Sequence, residues 1–333
     1  MSPFVRNLFL LFGVASIAVM LLTFDVDYET LVANIGRAGL YFPAVLGVWV
    51  IVYAFNARAF QIIVNSGSHE RHLSYRHAYK LTVSGFAFSY TTPFGFGGGP
   101  YRVMELSSYI GTCHAISSVA LYSMMHILSH FCLWSFAALL FVILHTELMT
   151  PLLWALLGGF VVVVLAVFVG FALFYRKGVI ERLIVPLLYV PVLRRWSRKF
   201  YESHLDQIRQ IDEGIALLHS MPRAFWASLA AEFVARLVNS LEYWFILLSL
   251  GVSLGLSDAI FILAFSSLMG NLLFFFPMQL GAREGGLLLI LGLLHLSAPG
   301  MGVLTGLYTR VRETVWVLIG VALVKVGNKQ LMR

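Results

Sequence analysis

The chain has 333 residues, of which 59% are hydrophobic and 12% are charged, and its formal net charge is +7. An average soluble domain carries about 25% charged residues, so this composition excludes an ordinary cytosolic protein. The two cysteines form neither a CxxC motif nor a disulfide framework, and no redox chemistry is indicated. The basic residues lie mainly in predicted loops, so a nucleic-acid partner is not expected.

Six apolar runs along the chain approach or exceed the length needed to cross a membrane. They cover residues 8–24, 41–64, 115–144, 151–175, 225–252 and 301–326. About 20 mostly apolar residues cross a hydrocarbon core of ~30 Å. The first run lacks a convincing small-x-small cleavage site, and it is predicted to be a retained helix. The sequence therefore predicts an all-α polytopic membrane protein in which residues 1–333 form a single transmembrane domain.

The basic residues also predict which loops face the cytoplasm. Nine Lys and Arg lie in the segment from 176 to 223, and Arg71, Arg76 and Lys80 follow the second run, whereas the loops near Glu147 and Asp258 have none. Cytoplasmic loops carry an excess of Lys and Arg. Both termini are therefore predicted to be cytoplasmic, in a plasma (inner) membrane. The connection 176–222 is predicted to be a basic amphipathic segment that anchors to anionic lipid.

Two segments interrupt the apolar pattern with proline and glycine, at 80–111 and 258–295. Their breaking residues are Pro93, Gly95, Gly97, Gly98, Gly99 and Pro100 in the first, and Pro277, Gly281, Gly285 and Gly286 in the second. Proline removes a backbone donor, and glycine loses much conformational entropy in a helix, so the centre of each segment is predicted to be non-helical. Each half of the first segment has only about 15 residues, which is short for a full crossing.

Irregular backbone at membrane depth is tolerated only where protein covers it or water reaches it. The two segments are therefore predicted to be re-entrant helix pairs, with short full crossings as the alternative that stays open. They divide the chain into two span–hairpin–span units, 41–144 and 225–326, of opposite polarity. This plan is typical of the inverted repeats of many transporters.

An arginine and a glutamate follow each break, which predicts a binding site for a phosphate-bearing substrate. The start of a helix presents free N–H groups to an anion, and arginine adds a forked charge. The predicted substrate-binding residues are Gly97, Gly98, Gly99, Arg102, Glu105, Gly281, Arg283, Glu284, Glu232, Arg236, Arg310 and Glu313. In the alternative interpretation, the glycines permit close helix packing and the charges neutralise one another.

The spacing of the other intramembrane charges predicts two pairs. Glu232 and Arg236 are four apart and Arg310 and Glu313 are three apart, so the members of each pair can meet on one helix face, while Arg312 turns elsewhere.

Histidines 126 and 130 are also four apart, but no acid or cysteine at recognisable spacing accompanies them. A pore-facing position or interhelical hydrogen bonding is therefore favoured over a metal site for His126 and His130. No catalytic constellation, cofactor or ATP-binding motif is found, so the protein is not expected to be an enzyme.

Several short motifs lie along the chain. They are Thr92-Pro93, Gly97 and Arg102 early, Pro277, Leu280-Gly281, Arg283-Glu284 and Gly285 late, and then Thr309-Arg310. Together these motifs resemble the flippase-like, lysylphosphatidylglycerol synthase transmembrane-region family. It covers roughly residues 5 to 327, and the late motif is the more specific. The early motif departs from the family pattern, in which Gly-Glu commonly precedes the arginine.

The resemblance implies a membrane domain that moves a modified or anionic phospholipid, or a polyprenyl-linked lipid, between leaflets. The soluble aminoacyl-transfer domain of bifunctional members is not expected after Arg333, so a separate lipid-modifying enzyme is an expected partner. A polyprenyl-phosphate-dependent glycosyltransferase, with Asp25, Asp27 and Glu29 near its first span, and a small-anion secondary transporter are the alternatives. The lipid, the coupling ion and the oligomeric state are left open.

Overall fold

All regular elements in the described part of this computed structural model are helical. The described residues are 38–67, 72–92, 97–176, 205–216, 221–272, 282–296 and 301–325. The helices are α1 (Tyr41–Asn65), α2 (Tyr75–Thr91), α3 (Gly98–Ile110), α4 (Thr112–Leu144), α5 (Pro151–Arg176), α6 (205–216), α7 (Pro222–Ser249), α8 (Leu256–Leu272), α9 (Ala282–Leu293) and α10 (Met301–Val324). A short 3-10 turn, Thr146–Leu148, lies between α4 and α5.

Local sequence signals account for several helix boundaries. Ser74 precedes α2, and its hydroxyl accepts a hydrogen bond from the His77 N–H at 3.3 Å, which satisfies one of the donors left free in a first turn. Pro222 begins α7, where its missing N–H removes no intrahelical bond. Gly111 separates α3 from α4 with a φ of +78°, a conformation that favours glycine.

The predicted apolar runs that begin at 41, 115, 151, 225 and 301 are all helical. Among the described residues, α1, α4 and the Pro151–Gly170 part of α5 are long and apolar enough to cross a membrane. Helices α7 and α10 have comparable lengths of 28 and 24 residues but carry several charges. The predicted first span, 8–24, lies outside the described residues.

The first break is narrower than the sequence predicts. Helix α2 ends at Thr91 and α3 begins at Gly98, so Gly98, Gly99 and Pro100 belong to a first helical turn rather than to an irregular segment. Proline is tolerated there because the N–H groups of a first turn have no intrahelical acceptor. Lys80 is also not a loop residue, since it lies in α2 and is buried. The centre of the second break, 273–281, lies outside the described residues.

The helices pack in equivalent pairs from the two predicted units. Helix α1 packs on α2 and α7 packs on α8, while α2 contacts α10 and α4 contacts α8. The central pair, α1 and α7, is antiparallel, because Tyr41 stacks near Phe245 and Trp49 lies beside Glu242. The predicted counterparts α1 and α7 therefore run in opposite directions at their contact.

Two helices lie at the edge of this bundle. Most side chains of α5 in 151–170 are exposed, and its main packing partner among the described helices is α4. Helix α6, in the predicted basic connection, buries Ile208, Ile211 and Ile215. The Ser117 hydroxyl of α4 donates to the Ile211 carbonyl at 3.1 Å, so the apolar face of α6 packs against protein.

Candidate functional site

Two polar clusters lie inside the helical bundle at different levels of α7. The His126 cluster consists of Asn56, Tyr122, His126, Ser129, Glu232 and Arg236. The Arg312 cluster consists of Trp49, Tyr90, Glu242, Arg310, Arg312 and Glu313. Residues 232 and 242 are ten positions apart on α7, which is about 15 Å along a helix axis. Charged side chains are thus buried over much of the thickness of the bundle.

In the His126 cluster, one imidazole of α4 joins two charged residues of α7. Nδ1 of His126 lies 2.8 Å from Oε2 of Glu232, and Nε2 lies 2.8 Å from Nη2 of Arg236. Arg236 also donates from Nε to the Ser129 hydroxyl at 3.2 Å. Asn56 of α1 and Tyr122 of α4 approach the same Glu232 carboxylate. The predicted neighbours Glu232 and Arg236 therefore meet through a third residue from another helix.

The Arg312 cluster ties α10 to α7, α1 and α2. Arg312 donates from Nε to Oε1 of Glu242 at 2.8 Å, and Trp49 donates from its indole N–H to Oε2 of Glu242 at 2.8 Å. The guanidinium carbon of Arg312 also lies 3.9 Å from the centre of the Trp49 ring. On the other side, Nη2 of Arg312 is 3.5 Å from Oε1 of Glu313. Both carboxylates are nearly inaccessible, which is tolerable only because each has a charged partner.

The predicted pair Arg310–Glu313 is present in the same cluster. Nη1 of Arg310 lies 3.8 Å from Oε2 of Glu313, and the hydroxyl of Tyr90 donates to that oxygen at 2.5 Å. Arg310 in turn donates to the Tyr90 oxygen at 3.3 Å. Two arginines and two glutamates thus balance each other in the Arg312 cluster.

Arg102 lies in the first turns of α3 and packs against α2, so it is not in an irregular loop. Its Nε and Nη2 donate to the carbonyls of Leu81 and Thr82 at 3.4 and 3.5 Å, and its guanidinium carbon is 5.1 Å from the centre of the Tyr122 ring. A Cβ at Gly85 would stand 2.5 Å from Nε of Arg102, so glycine makes room for this arginine. Arg102 is therefore a fourth arginine in addition to the three of the two clusters, and it lies beside Tyr122 of the His126 cluster.

Two of the three glycines predicted as site residues at the first break have a packing role. A Cβ at Gly98 would overlap the Gly85 carbonyl oxygen, and a Cβ at Gly97 would stand 2.6 Å from that of Phe88. The Gly97 N–H donates to the Thr92 hydroxyl at 2.7 Å and is not available to a ligand in this state. Gly99 has only ordinary contacts. The close-packing interpretation accounts for Gly97 and Gly98, and a ligand contact of these residues stays a prediction.

Glu105 is buried between α2 and α3. His77 of α2 lies within electrostatic range of both Lys80 and Glu105, and all three side chains are buried. This acid therefore has His77 of α2 as a neighbour. For the second element, Gly281 lies outside the described residues, and so do the side chains of Arg283 and Glu284. Their predicted contact with a substrate stays a prediction.

Sequence reasoning missed Glu242 and Trp49. It predicted interhelical hydrogen bonding by His126, which is confirmed, but it did not identify the partners Glu232 and Arg236. The signal for Glu242 was an acid within an otherwise apolar run, which requires a buried cation such as Arg312. The rings of His126 and His130 are 5.5 Å apart, but both nitrogens of His126 face other residues. No group of three or more His, Cys, Asp or Glu side chains within the described ranges is arranged to hold a metal ion.

Comparison with known proteins gives a family match. A family model described as the lysylphosphatidylglycerol synthase TM region matches residues 10–320. No curated protein and no solved structure matches the chain. The matched region contains both polar clusters and all the predicted site residues.

Proposed function

Since the chain belongs to the lysylphosphatidylglycerol synthase transmembrane-region family and is an integral multi-pass membrane protein, we propose that it is a flippase-like lipid translocase or lipid-binding transporter. Its substrate is an anionic or modified phospholipid, or a polyprenyl-phosphate-linked lipid. The headgroup binds inside the bundle, and the acyl or prenyl chains stay in the bilayer. The protein itself carries out no covalent chemistry on the lipid, which a separate enzyme modifies.

The observation that carries this proposal is the row of charged residues buried along α7. Ionisable residues inside a membrane are energetically expensive and usually belong to a substrate or ion pathway. The Arg312 cluster is neutral, whereas Arg102 and Arg236 together outnumber Glu232 around the His126 cluster by one charge. An excess positive charge beside a buried aromatic and imidazole surface suits the phosphate of a lipid headgroup.

Arg236 is the best-placed phosphate ligand among the described residues. Its Nε and Nη2 contact Ser129 and His126, while Nη1 has no hydrogen-bond partner in the described part of the chain. Arg102 is more enclosed, because α2 carbonyls accept from two of its nitrogens. In the proposed site Arg236 therefore contacts the anion first, and Arg102 contributes mainly its charge. Arg283 is the predicted counterpart from the second element.

The proposal includes two re-entrant hairpins, α2–α3 and α8–α9, related as an inverted repeat. Their helices have 17, 13, 17 and 12 residues, and at 1.5 Å per residue each is shorter than a hydrocarbon core of ~30 Å. The antiparallel contact of α1 with α7 supports the inverted relation, since helices related by an axis along the membrane normal would be parallel. Both termini are cytoplasmic in this proposal, which the positive-inside pattern supports.

A leaflet-resolved transport assay in liposomes with a panel of labelled lipids tests this function. Arg236→Ala should reduce transport of the preferred anionic lipid at least about tenfold, because a charge-assisted hydrogen bond contributes about 1.5–3 kcal/mol. Arg58→Ala is the matched control, since Arg58 is exposed and contacts Gln61 on the same helix. Transport that is equal in both variants would reject the assigned site, and a wild-type protein that moves none of the lipids would reject the function.

A further inference from the structure

His126 uses both ring nitrogens, and its two partners fix its protonation. A guanidinium is a donor only, so the contact between Nη2 of Arg236 and Nε2 of His126 requires Nε2 to be the acceptor. The ring hydrogen then lies on Nδ1, which donates to the Glu232 carboxylate at 2.8 Å. In the described state His126 is therefore a neutral imidazole held between a carboxylate and a guanidinium.

The titratable and charged groups that face His126 come from several helices. They are Tyr122 and His130 of α4, Glu232 and Arg236 of α7, and Arg102 of α3, with the neutral amide of Asn56 of α1 beside the carboxylate. Two arginines and one glutamate give the surroundings a net charge of +1 when His126 is neutral. A proton on His126 would raise this net charge to +2, and a bound monoanion would return it to +1.

The same imidazole is accessible from outside the cluster. The His126 side chain is 40% exposed, whereas that of its partner Glu232 is fully buried. Two nearby residues of α4 are exposed as well: Ser123, one turn before His126, and Ile127, next to it. Arg236 contacts this imidazole, and its Nη1 makes no hydrogen bond within the described part of the chain.

We propose that His126 and Arg236 form a proton-coupled anion site, in which one proton adds to Nε2 of His126 as an anionic lipid headgroup binds to Arg236. The proton turns Nε2 from an acceptor into a donor and displaces Nη2 of Arg236. The guanidinium then offers Nη1 and Nη2 to the anion as a fork. One proton and one monoanion enter together, so the charge of the site stays at +1 and the combined step is electroneutral. This inference rests on the proposed function, which supplies the anionic lipid.

If the hydrogen bonds of His126 serve only to join α4 to α7, anion binding takes up no proton. Isothermal titration calorimetry of the purified full chain, run in two buffers with different ionisation enthalpies, separates these cases. The lipid probes are dihexanoylphosphatidylglycerol and farnesyl phosphate, the zwitterionic control is dihexanoylphosphatidylcholine, and inorganic phosphate tests a free anion. We expect about one proton taken up per anionic lipid, and an affinity that falls about tenfold per unit rise in pH while the free site is unprotonated.

His126→Asn should abolish the proton uptake and the pH dependence of binding, and His130→Asn, which alters the neighbouring ring, should retain both.

Anionic lipid that binds wild type without proton uptake would overturn the coupling and leave the proposed function standing. Proton uptake that persists unchanged in His126→Asn would also overturn it. If neither anionic lipid binds, the proposed function and the coupling both fail. Proton-linked binding of inorganic phosphate alone would support the proton-coupled site and reject a lipid as its ligand.

Discussion

Glu242 and Arg312 are an ion pair that connects α7 to α10 in the interior of the bundle. Their side chains are 2% and 3% exposed, and Trp49 satisfies the second oxygen of the carboxylate. A buried pair of this kind is balanced as long as both charges are present, and loss of one member leaves the other buried without its nearest opposite charge. The energetic effect of each residue therefore depends on its partner.

Single substitution at this pair should be strongly destabilising, and double substitution much less so. Glu242→Leu or Arg312→Met should each lower the free energy of unfolding by about 3–5 kcal/mol, whereas the double variant should recover most of the loss. The thermal unfolding midpoint in detergent measures this effect, with Arg58→Met as the exposed control. Single variants as stable as that control would contradict the buried-pair interpretation.

The double variant also separates stability from transport. If the Arg312 cluster is structural, the double variant should transport lipid at close to the wild-type rate once it is stably folded. A stable double variant without transport would instead place Glu242 or Arg312 on the substrate pathway. The same liposome assay that tests Arg236 gives this answer.

At the scale of helices, close approach between elements depends on glycine at particular positions. Gly320 of α10 faces α2, and a Cβ there would stand 2.7 Å from both the Ala87 methyl carbon and the Val83 carbonyl oxygen. Backbone atoms cannot rotate away as a side-chain end can, so the two helices would have to separate. The neighbouring Tyr90–Glu313 contact lies on the same interface.

Gly320→Ala should therefore destabilise the protein by about 1–3 kcal/mol, as overpacking in a close interface does. Gly47→Ala is the matched control, because Gly47 lies in the interior of α1 and no atom lies within 4 Å of the position that a Cβ would take. There alanine should be neutral or stabilising by about 0.5–1 kcal/mol. The thermal unfolding midpoint should fall in Gly320→Ala and should stay the same or rise in Gly47→Ala, and a shift of the same sign and size in both variants would contradict the assigned α2–α10 contact.

At the scale of the whole molecule, the two ends of the bundle carry different loops. His145, which follows α4, lies 3.5 Å from Glu147 and 3.9 Å from Asp258 at the start of α8. The two acidic loops that the sequence assigns to the outer face therefore lie at the same end of the bundle. Helix α6, from the basic connection, packs near Ser117 at the beginning of α4 and thus toward the opposite end.

Cysteine labelling in intact cells tests the predicted orientation. In a background with Cys113→Ala and Cys132→Ala, a membrane-impermeant maleimide should react with Glu147→Cys from outside, because that side chain is exposed. Glu213→Cys, exposed on α6, should react only after the membrane is permeabilised. The reverse pattern would invert the proposed topology while leaving the fold unchanged, and transport activity of each variant serves as the control for folding.

The sequence by itself determined the helices and the positions of the charges within them. An apolar run, a Pro/Gly break and the three-residue spacing of Arg310 and Glu313 are local features, and local backbone preferences act on them directly. Only the tertiary structure decided which charges meet. His126 and Glu232 are 106 positions apart, and Arg312 and Glu242 are 70 apart.

The physical reason is that a helix of uniformly apolar composition has no sequence signal for the face that meets each neighbour. The choice between ligand-binding and packing roles for Gly98 depended on Gly85 of α2, whose carbonyl lies where a Cβ would stand. The proximity of Arg102 to Tyr122 likewise follows from the packing of α3 against α4. Contacts of this kind depend on how whole helices dock, and the spacing of residues along one helix does not contain them.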